Sequence, residues 1–425
     1  PLTVMSHQYF ITEAIPDVQA WTKAHGRKLP MLRDVDISYY MRQDTYSLNL
    51  GPYERKCEAA WITPDNQMPD DFSFQLYPDD LDRLEFYIED AMARVPLLGT
   101  QGVQRNINGP IPYAPDGLPM IGPMPGVPNA FEAHSFAFGI AQGGGAGKVL
   151  SEWIIQGQTE WDMWAVDPRR FTDYTDPQYC LGKAIETYGH EYAMHFPHQE
   201  WPAERGRKLS PNHRRLLDEG AQMGVYNGWE RANWFAGEGD DTSGEAALTW
   251  DRNGPWAPRI REEVEAVRDG VGVIDLCGFS RFTLSGEGAA AWLRARITGA
   301  LPAIGRLNLI YFATEQGHVL TEMSCMRHGA DAFTLMTAAL AQWHDFELLS
   351  RALPEGLVLS DVTGSVATLL VTGPKSRDLF AAVSELLLRR LRRMVPDTLN
   401  RAYADDLAMV LRRGLASLPA LHSIF

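Results

Sequence analysis

Tyr113-Ala-Pro-Asp-Gly-Leu-Pro-Met-Ile-Gly122, followed by Phe138-Gly-Ile-Ala-Gln-Gly-Gly-Gly-Ala-Gly-Lys148, is the stretch on which the reading of the fold turns. Pro115-Asp116-Gly117 has the residue types of a type I or II turn. The glycine run reads as a turn feeding a helix from about Gly145 to Ile155, so 139–156 should be turn, then helix. Two readings of the run stay open. Glycine permits a tight strand-to-helix turn with φ > 0 and close packing. Equally, backbone N–H groups at a helix N-terminus stabilise negative charge that develops on a bound group. A phosphate loop is excluded: counted back from Gly147-Lys148, G-x-x-x-x-G-K-[ST] lands on Gln142, and Val149 stands where the hydroxyl belongs.

Upstream, residues 6–62 alternate as strands do, in Gln8-Tyr9-Phe10-Ile11, Ser38-Tyr39-Tyr40-Met41-Arg42 and Tyr46-Ser47-Leu48-Asn49-Leu50. An antiparallel sheet is expected there. After Pro78, Asp79-Asp80 are expected to cap an amphipathic helix whose apolar positions are Leu81, Leu84, Ile88, Ala91, Met92 and Val95. Downstream, 157–209 lacks periodicity and reads as a connector. A second core opens near Ser210, with helices at 258–271 and 288–298 and strands at 281–285, 307–314, 318–326 and 332–337. From Ser384 the register changes: 385–425 holds seven Arg against four acids in a chain that is otherwise acidic. There a short helix at 385–394 and a hairpin at 401–411 are expected, the hairpin marginal because no sheet receives its edges.

The chain has 425 residues, 45% hydrophobic and 22% charged, enough for two or three packed cores. Its net charge of −15 repels nucleic acid and anionic membrane, so neither is expected as a partner. Four dispersed cysteines with no C-x-x-C pair signal neither a zinc ribbon nor a disulfide framework. No apolar run reaches membrane-spanning length. Pro1-Leu2-Thr3-Val4 leads straight into a strand, from which a missing N-terminal part is expected.

The motifs together resemble the dimethylglycine/sarcosine dehydrogenase family. They are His7-Gln8-Tyr9 with Thr12-Glu13-Ala14-Ile15-Pro16, the two stretches quoted first, Val166-Asp-Pro-Arg-Arg-Phe171, Tyr188-Gly-His-Glu-Tyr-Ala-Met-His-Phe-Pro-His198, and Gly228-Trp-Glu-Arg-Ala-Asn-Trp-Phe235. The resemblance covers residues 1 to about 383. It implies an α+β chain: the C-terminal part of a D-amino-acid-oxidase-like flavoprotein domain, followed by a partial aminomethyltransferase-like α+β domain. The implied divisions are 1–160 (substrate and flavin side), 161–209 (connector), 210–384 (folate-binding-like) and 385–425 (unrelated tail). The implied activity is oxidative N-demethylation of a small N-methylglycine by FAD, with tetrahydrofolate taking the one-carbon unit. Electrons would pass to electron-transfer flavoprotein or oxygen, in the mitochondrial matrix of a eukaryote or otherwise the cytoplasm. The competing class is a catalytically silent homologue, similar to the family's phosphatase-regulatory branch.

Residue by residue, the resemblance places His7 at the family's active-site histidine, where a group titrating near neutrality can take the amine proton. Tyr40, or its neighbour Tyr39, offers a hydroxyl to the substrate, and strand alternation allows only one of the two. Phe138, Gly139, Ile140, Ala141 and Gln142 fall at the flavin end. Tyr311 and Glu322 fall on the folate hairpin, where Thr314, His318 and Glu322 replace the family's Asn, Gly and Asp. The G-x-G-x-x-G that seats the ADP pyrophosphate does not occur in the residues present, so weak or no flavin retention is expected. Three decoys fail on chemistry. Gly286-Glu-Gly-Ala-Ala-Ala291 has no acidic ribose partner about 20 residues on. His190-Glu-x-x-x-His195 is one residue too long for two zinc ligands on one helix face, so no metal is expected. No G-x-S-x-G begins a serine hydrolase. In the tail, Tyr403-Ala-Asp405-Asp406 resembles the Y-x-D-D turn of reverse transcriptases, and is expected to serve neither site.

Overall fold

The period-2 stretches form strands because alternate side chains can be buried on opposite faces of one sheet. The computed structural model describes residues 2–351, 353–391 and 408–411, which fall into two compact units. The first comprises 1–168, 173–196 and 201–204, and the second comprises 169–172, 197–200 and the chain from Arg205.

In the first unit β1 (Thr3–Thr12), β2 (Leu32–Asp34), β3 (Tyr39–Asp44), β4 (Ser47–Pro52), β5 (Ala59–Ala60) and β6 (Val103–Tyr113) make one antiparallel sheet, ordered β2-β3-β4-β1-β5, with β6 running beside β1. One face packs Phe10, Tyr39, Met41, Leu48 and Leu50 against α1 (Pro16–His25) and α2 (Glu85–Arg94). Met5, Tyr53, Tyr113 and Tyr188 cluster apart from that core, Tyr188 being carried by α4 (Pro177–Gly189). Between α2 and α4 lie the hairpin β7 (Met120–Pro123) and β8 (Phe131–His134), then α3 (Gly139–Gln156).

Three expectations are corrected here. The helix after Pro78 begins at Glu85, preceded by a 3-10 turn at Asp82–Leu84. Residues 78–80 are engaged elsewhere: the Pro78 carbonyl accepts from Asn108, the Asp80 carbonyl from Gln8, and the Asp79 carboxylate from Asn106. The connector contains a regular helix, α4, whose Asp176 side chain accepts from the Tyr179 N–H at 2.7 Å while Pro177 occupies the first turn. Helix α3 starts at Gly139, six residues before the expected start, and its glycines continue a regular helix with no positive φ.

The second unit opens with α5 (His213–Asp218), the hairpin β9 (Ala221–Tyr226) and β10 (Trp229–Phe235), and α6 (Ala257–Asp269). There follow β11 (Gly272–Asp275), β12 (Ser280–Ser285), α7 (Ala289–Arg294), β13 (Ile297–Thr298), β14 (Leu307–Ala313), β15 (Val319–Gly329), β16 (Ala332–Thr337), α8 (Gln342–Ser350), β17 (Val358–Asp361), β18 (Ala367–Thr372), α9 (Ser376–Leu391) and β19 (Ala408–Leu411). Six strands in the order β13-β14-β15-β16-β12-β17 cover a core of Phe282, Leu284, Trp292, Phe312, Met323 and Phe333. A second sheet, β11-β18-β19, pairs Ala367–Leu370 with Ala408–Leu411. The expectation that no sheet receives the 401–411 segment is thereby overturned for 408–411, because β18 offers a free edge. Helix α9 runs through residue 384 without a break. Tyr403, Asp405 and Asp406 lie outside the described residues.

Candidate active site

His7 lies on β1, and Glu54 follows β4, whose course is fixed by the Tyr53 N–H donating to the Ser38 carbonyl. Arg83 comes from the 3-10 turn and Tyr188 from the last turn of α4. His7 Nδ1 stands 2.8 Å from the Tyr188 hydroxyl, which donates to Glu54 Oε2 at 3.0 Å. On the other Glu54 oxygen, Arg83 Nε lies 3.0 Å away as an ion pair without hydrogen-bond alignment. The rest of that guanidinium donates to the Ser6 carbonyl and hydroxyl, both at 3.1 Å, and pairs with Glu58 at 3.4 Å. A single array thus runs from imidazole to phenol to carboxylate to guanidinium.

Aromatic rings wall this array. Tyr53 lies 4.7 Å from the His7 ring, 5.0 Å from Tyr188 and 5.1 Å from Tyr192, and Tyr192 meets Tyr40 edge-on at 6.0 Å. Tyr113 packs on Tyr188 and donates to Glu191 at 2.6 Å. Burial sets the protonation states, because a charge loses its hydration there. His7 falls to about 4, through burial and then the nearby Arg83 charge. Glu54 rises to about 7, burial outweighing Arg83 and the Tyr188 hydrogen bond. Burial likewise raises Glu191 and pushes Tyr40 up to about 12. Cys57 beside Glu54 is pushed up to about 12 and is a buried thiol, not a nucleophile.

Of the residues the sequence singled out, His7 sits at the centre of the array. Alternation sends Tyr39 toward α2, where its hydroxyl donates to Asp90 at 3.1 Å, and Tyr40 into the aromatic wall. No hydrogen bond joins Tyr40 to His7. Gly51, its cross-strand partner, is required by contact: a Cβ there would lie 2.3 Å from the Tyr40 ring. Gly117, with φ +73, closes the Pro115 turn by donating to the Ala114 carbonyl, and Thr187 on α4 donates to the Pro115 carbonyl.

Phe138 to Gln142 form the entry and first turn of α3. Phe138 provides no side-chain cap. The Gln142 N–H already donates to the Phe138 carbonyl, so the N–H groups of Gly139, Ile140 and Ala141 are the ones without an acceptor inside the helix. Ile140 is fully exposed, and positions 143, 144, 145 and 147 have open space where a Cβ would be. Gln142 Oε1 is buried with no hydrogen-bond partner. In the second unit Tyr311 and Glu322 are paired directly across β14 and β15, and both are exposed. The turn beyond them closes through Thr314 and His318, whose carbonyl accepts at 2.8 Å, with Gly317 at φ +85.

Sequence reasoning missed Tyr53, Glu54 and Arg83 as members of the site. Tyr113, Tyr188, Glu191 and Tyr192 appeared only within motifs. His190 Nδ1–H donates to the Glu186 carbonyl and its ring stacks on Trp201, which His195 also meets. Among the described residues no cluster of His, Cys, Asp or Glu could hold a metal, and no helix is long and apolar enough to cross a membrane.

Comparison with known proteins gives three consecutive family matches. Residues 1–153 match the FAD dependent oxidoreductase family, 156–210 its central domain, and 212–409 the GCVT N-terminal domain. The chain is 34% identical over 384 residues to mitochondrial dimethylglycine dehydrogenase of Rattus norvegicus, covering 89% of this chain and 44% of that protein. It is 31% identical over 326 residues to mitochondrial sarcosine dehydrogenase of Homo sapiens, covering 69% and 33%. It is 25% identical over 433 residues to the mitochondrial pyruvate dehydrogenase phosphatase regulatory subunit of Mus musculus, covering 100% and 47%. The chain therefore spans less than half the length of each.

Proposed function

The chain belongs to the dimethylglycine/sarcosine dehydrogenase family, and from that membership we propose that it carries out the flavin-dependent oxidative N-demethylation of a small N-methylated amino acid. Dimethylglycine and sarcosine are the candidate substrates. The observation that carries this reading is the His7 array, a neutral imidazole held in a wall of tyrosines and backed by a buried carboxylate.

FAD fits the residues of α3 at its flavin end: Gly139, Ile140 and Ala141 are exposed and their N–H groups have no acceptor inside the helix, no Cβ fills the space over the glycine run, and Gln142 Oε1 is a buried atom in want of a partner. When bound, FAD supplies the hydride acceptor for C–H oxidation. Phe138, Gly139, Ile140, Ala141 and Gln142 would hold it. An amine must lose its proton to be oxidised, and His7, kept neutral by burial, accepts that proton. The tyrosine wall excludes water from the reacting nitrogen. In the second unit Tyr311 and Glu322 are assigned to tetrahydrofolate, which takes the one-carbon unit. Electrons leave to electron-transfer flavoprotein or oxygen, and the compartment is the mitochondrial matrix if the source is eukaryotic. We divide the chain into a flavin-side domain (1–160), a connector (161–209) and a folate-binding-like domain from 210.

The regulatory reading is favoured by one fact, an alignment with the phosphatase regulatory subunit that runs along the whole of this chain and 47% of that protein. Mixing the full chain with FAD, desalting it and recording visible flavin absorbance separates the two. Whatever fraction of the flavin is retained should bleach on anaerobic addition of dimethylglycine. Retention without bleaching by either N-methylglycine would move the assignment to the regulatory class.

A further inference from the structure

A phenol has one proton to give, and the Tyr188 hydroxyl has two partners, His7 Nδ1 at 2.8 Å and Glu54 Oε2 at 3.0 Å. An ionised carboxylate only accepts. When Glu54 is ionised, Tyr188 must donate to it, and the Tyr188 oxygen must then accept from His7 Nδ1–H. The lone pair of the neutral ring is thereby confined to Nε2, which makes no hydrogen bond among the described residues. When Glu54 carries a proton the chain of donors reverses. Glu54 donates to Tyr188, Tyr188 donates to Nδ1, and the ring proton moves to Nε2. The phenol therefore couples the carboxylate's charge to the tautomer of the histidine.

We propose that Glu54, acting through Tyr188, is the final proton acceptor for His7, and that the two are positioning residues that let the imidazole pass a proton on without ever becoming charged. The step balances. The substrate ammonium N–H bond breaks as Nε2–H forms, Nδ1–H breaks as a new Tyr188 O–H forms, and the original Tyr188 O–H breaks as Glu54 O–H forms. No electrons are transferred. Identification of the donor as the substrate amine rests on the proposed function, whereas the coupling of tautomer to carboxylate does not.

The electrostatics favour this route. His7 titrates at about 4, so an imidazolium is a poor resting place for the proton, while Glu54 at about 7 is a good one. The groups facing Glu54 are Arg83, Asp80, Tyr188, Cys57 and Tyr87, with Glu58 bound to the far side of Arg83. Those facing His7 are Tyr53, Tyr188 and Arg83. Arg83 alone contributes a positive charge to both sets. It lowers both groups, so it does not cancel the separation between them.

The test is a nitrogen-15 NMR titration of the full chain, with the His7 ring assigned by its loss in His7→Gln. Long-range proton–nitrogen spectra distinguish the Nδ1–H and Nε2–H tautomers directly. With rising pH the His7 ring should change from Nε2–H to Nδ1–H, with a midpoint near 7 where Glu54 ionises. Tyr188→Phe should abolish the change. Glu54→Gln, which keeps shape and volume, should hold one tautomer throughout and covers the case in which Tyr188→Phe does not fold. A single tautomer across the Glu54 titration in the wild type, or an unaltered change in either variant, overturns the relay. Flavin binding does not enter this readout, so failure of the proposed function and failure of the relay are separable.

Discussion

Arg83 in the first unit and Arg281 in the second are both buried guanidiniums, yet they are neutralised in different ways. Arg83 faces carboxylates: Glu54 at 3.0 Å, Glu58 at 3.4 Å and Asp80 at 3.8 Å. Arg281, 1% exposed, forms no ion pair among the described residues. Its nitrogens donate to the carbonyls of Cys277 and Thr363 at 3.0 and 2.6 Å and to the Thr368 hydroxyl at 3.1 Å. Carbonyls and hydroxyls do not titrate near neutrality, so Arg281 fastens β12 to the 362–368 segment at any physiological pH. A carboxylate does titrate, so the Arg83 array responds to protons. The same buried charge thus serves structure in one unit and proton handling in the other.

The comparison breaks first at Arg281. Arg281→Ala leaves two carbonyls and a hydroxyl buried without partners and opens a cavity, so a loss of about 3–5 kcal/mol in the second unit is expected. Urea unfolding followed by tryptophan fluorescence measures it, and the loss should be independent of pH between about 6 and 8.

Glu54→Gln gives the contrasting result. Glu54 has a folded value of about 7 against an ordinary 4.5, so the folded state binds more protons between those limits. Its contribution to stability is complete below about 4.5 and is lost as pH rises through 7. Glutamine removes that loss. The stability of Glu54→Gln relative to wild type should therefore rise by about 1–3 kcal/mol from pH 5 to pH 8. His7 acts in the opposite sense below its ordinary 6.5, stabilisation falling as pH drops toward 4, and this component is common to both proteins. A flat difference would make Glu54 as inert as the carbonyls around Arg281.

Gly51→Ala sharpens the account on the aromatic wall. The new Cβ meets the Tyr40 ring at 2.3 Å and must displace it, costing about 1–3 kcal/mol. The Tyr40–Tyr192 edge contact should be lost, visible as altered ring shifts of Tyr192 in NMR. The smallest effect belongs to the exposed pair on the folate hairpin: Glu322→Gln should change stability by less than about 0.5 kcal/mol. If Tyr311 and Glu322 serve folate, the same variant should still weaken tetrahydrofolate binding measured by calorimetry.

The sheets were legible because a period of two survives in a window of five residues, as in Ser38–Arg42 and Arg281–Ser285. Helix α4 was overlooked although Asp176-Pro177 is a cap followed by a first-turn proline, because the surrounding Trp, Asp, Pro and Arg conceal its periodicity. The start of α3 was placed late because a glycine run reads as a turn, whereas here packing by Ala146 and Val149 carries the helix through it. His7 came from a motif. Its partners did not: the bonds that define them join residues 181 and 134 positions apart, and no local pattern encodes such a separation. Tyr40 was distinguished from Tyr39 only when the sheet fixed which face each side chain takes.

The most direct measurement is the rate of anaerobic flavin bleaching by dimethylglycine in the FAD-loaded chain, recorded across pH for wild type and Glu54→Gln. The account requires the wild-type rate to rise with pH to a plateau with a midpoint near 7, as Glu54 becomes able to accept the proton, and requires Glu54→Gln to lose that inflection along with most of the rate. A flavin-loaded chain that dimethylglycine and sarcosine leave unbleached, or a Glu54→Gln profile superimposable on the wild type, would contradict it.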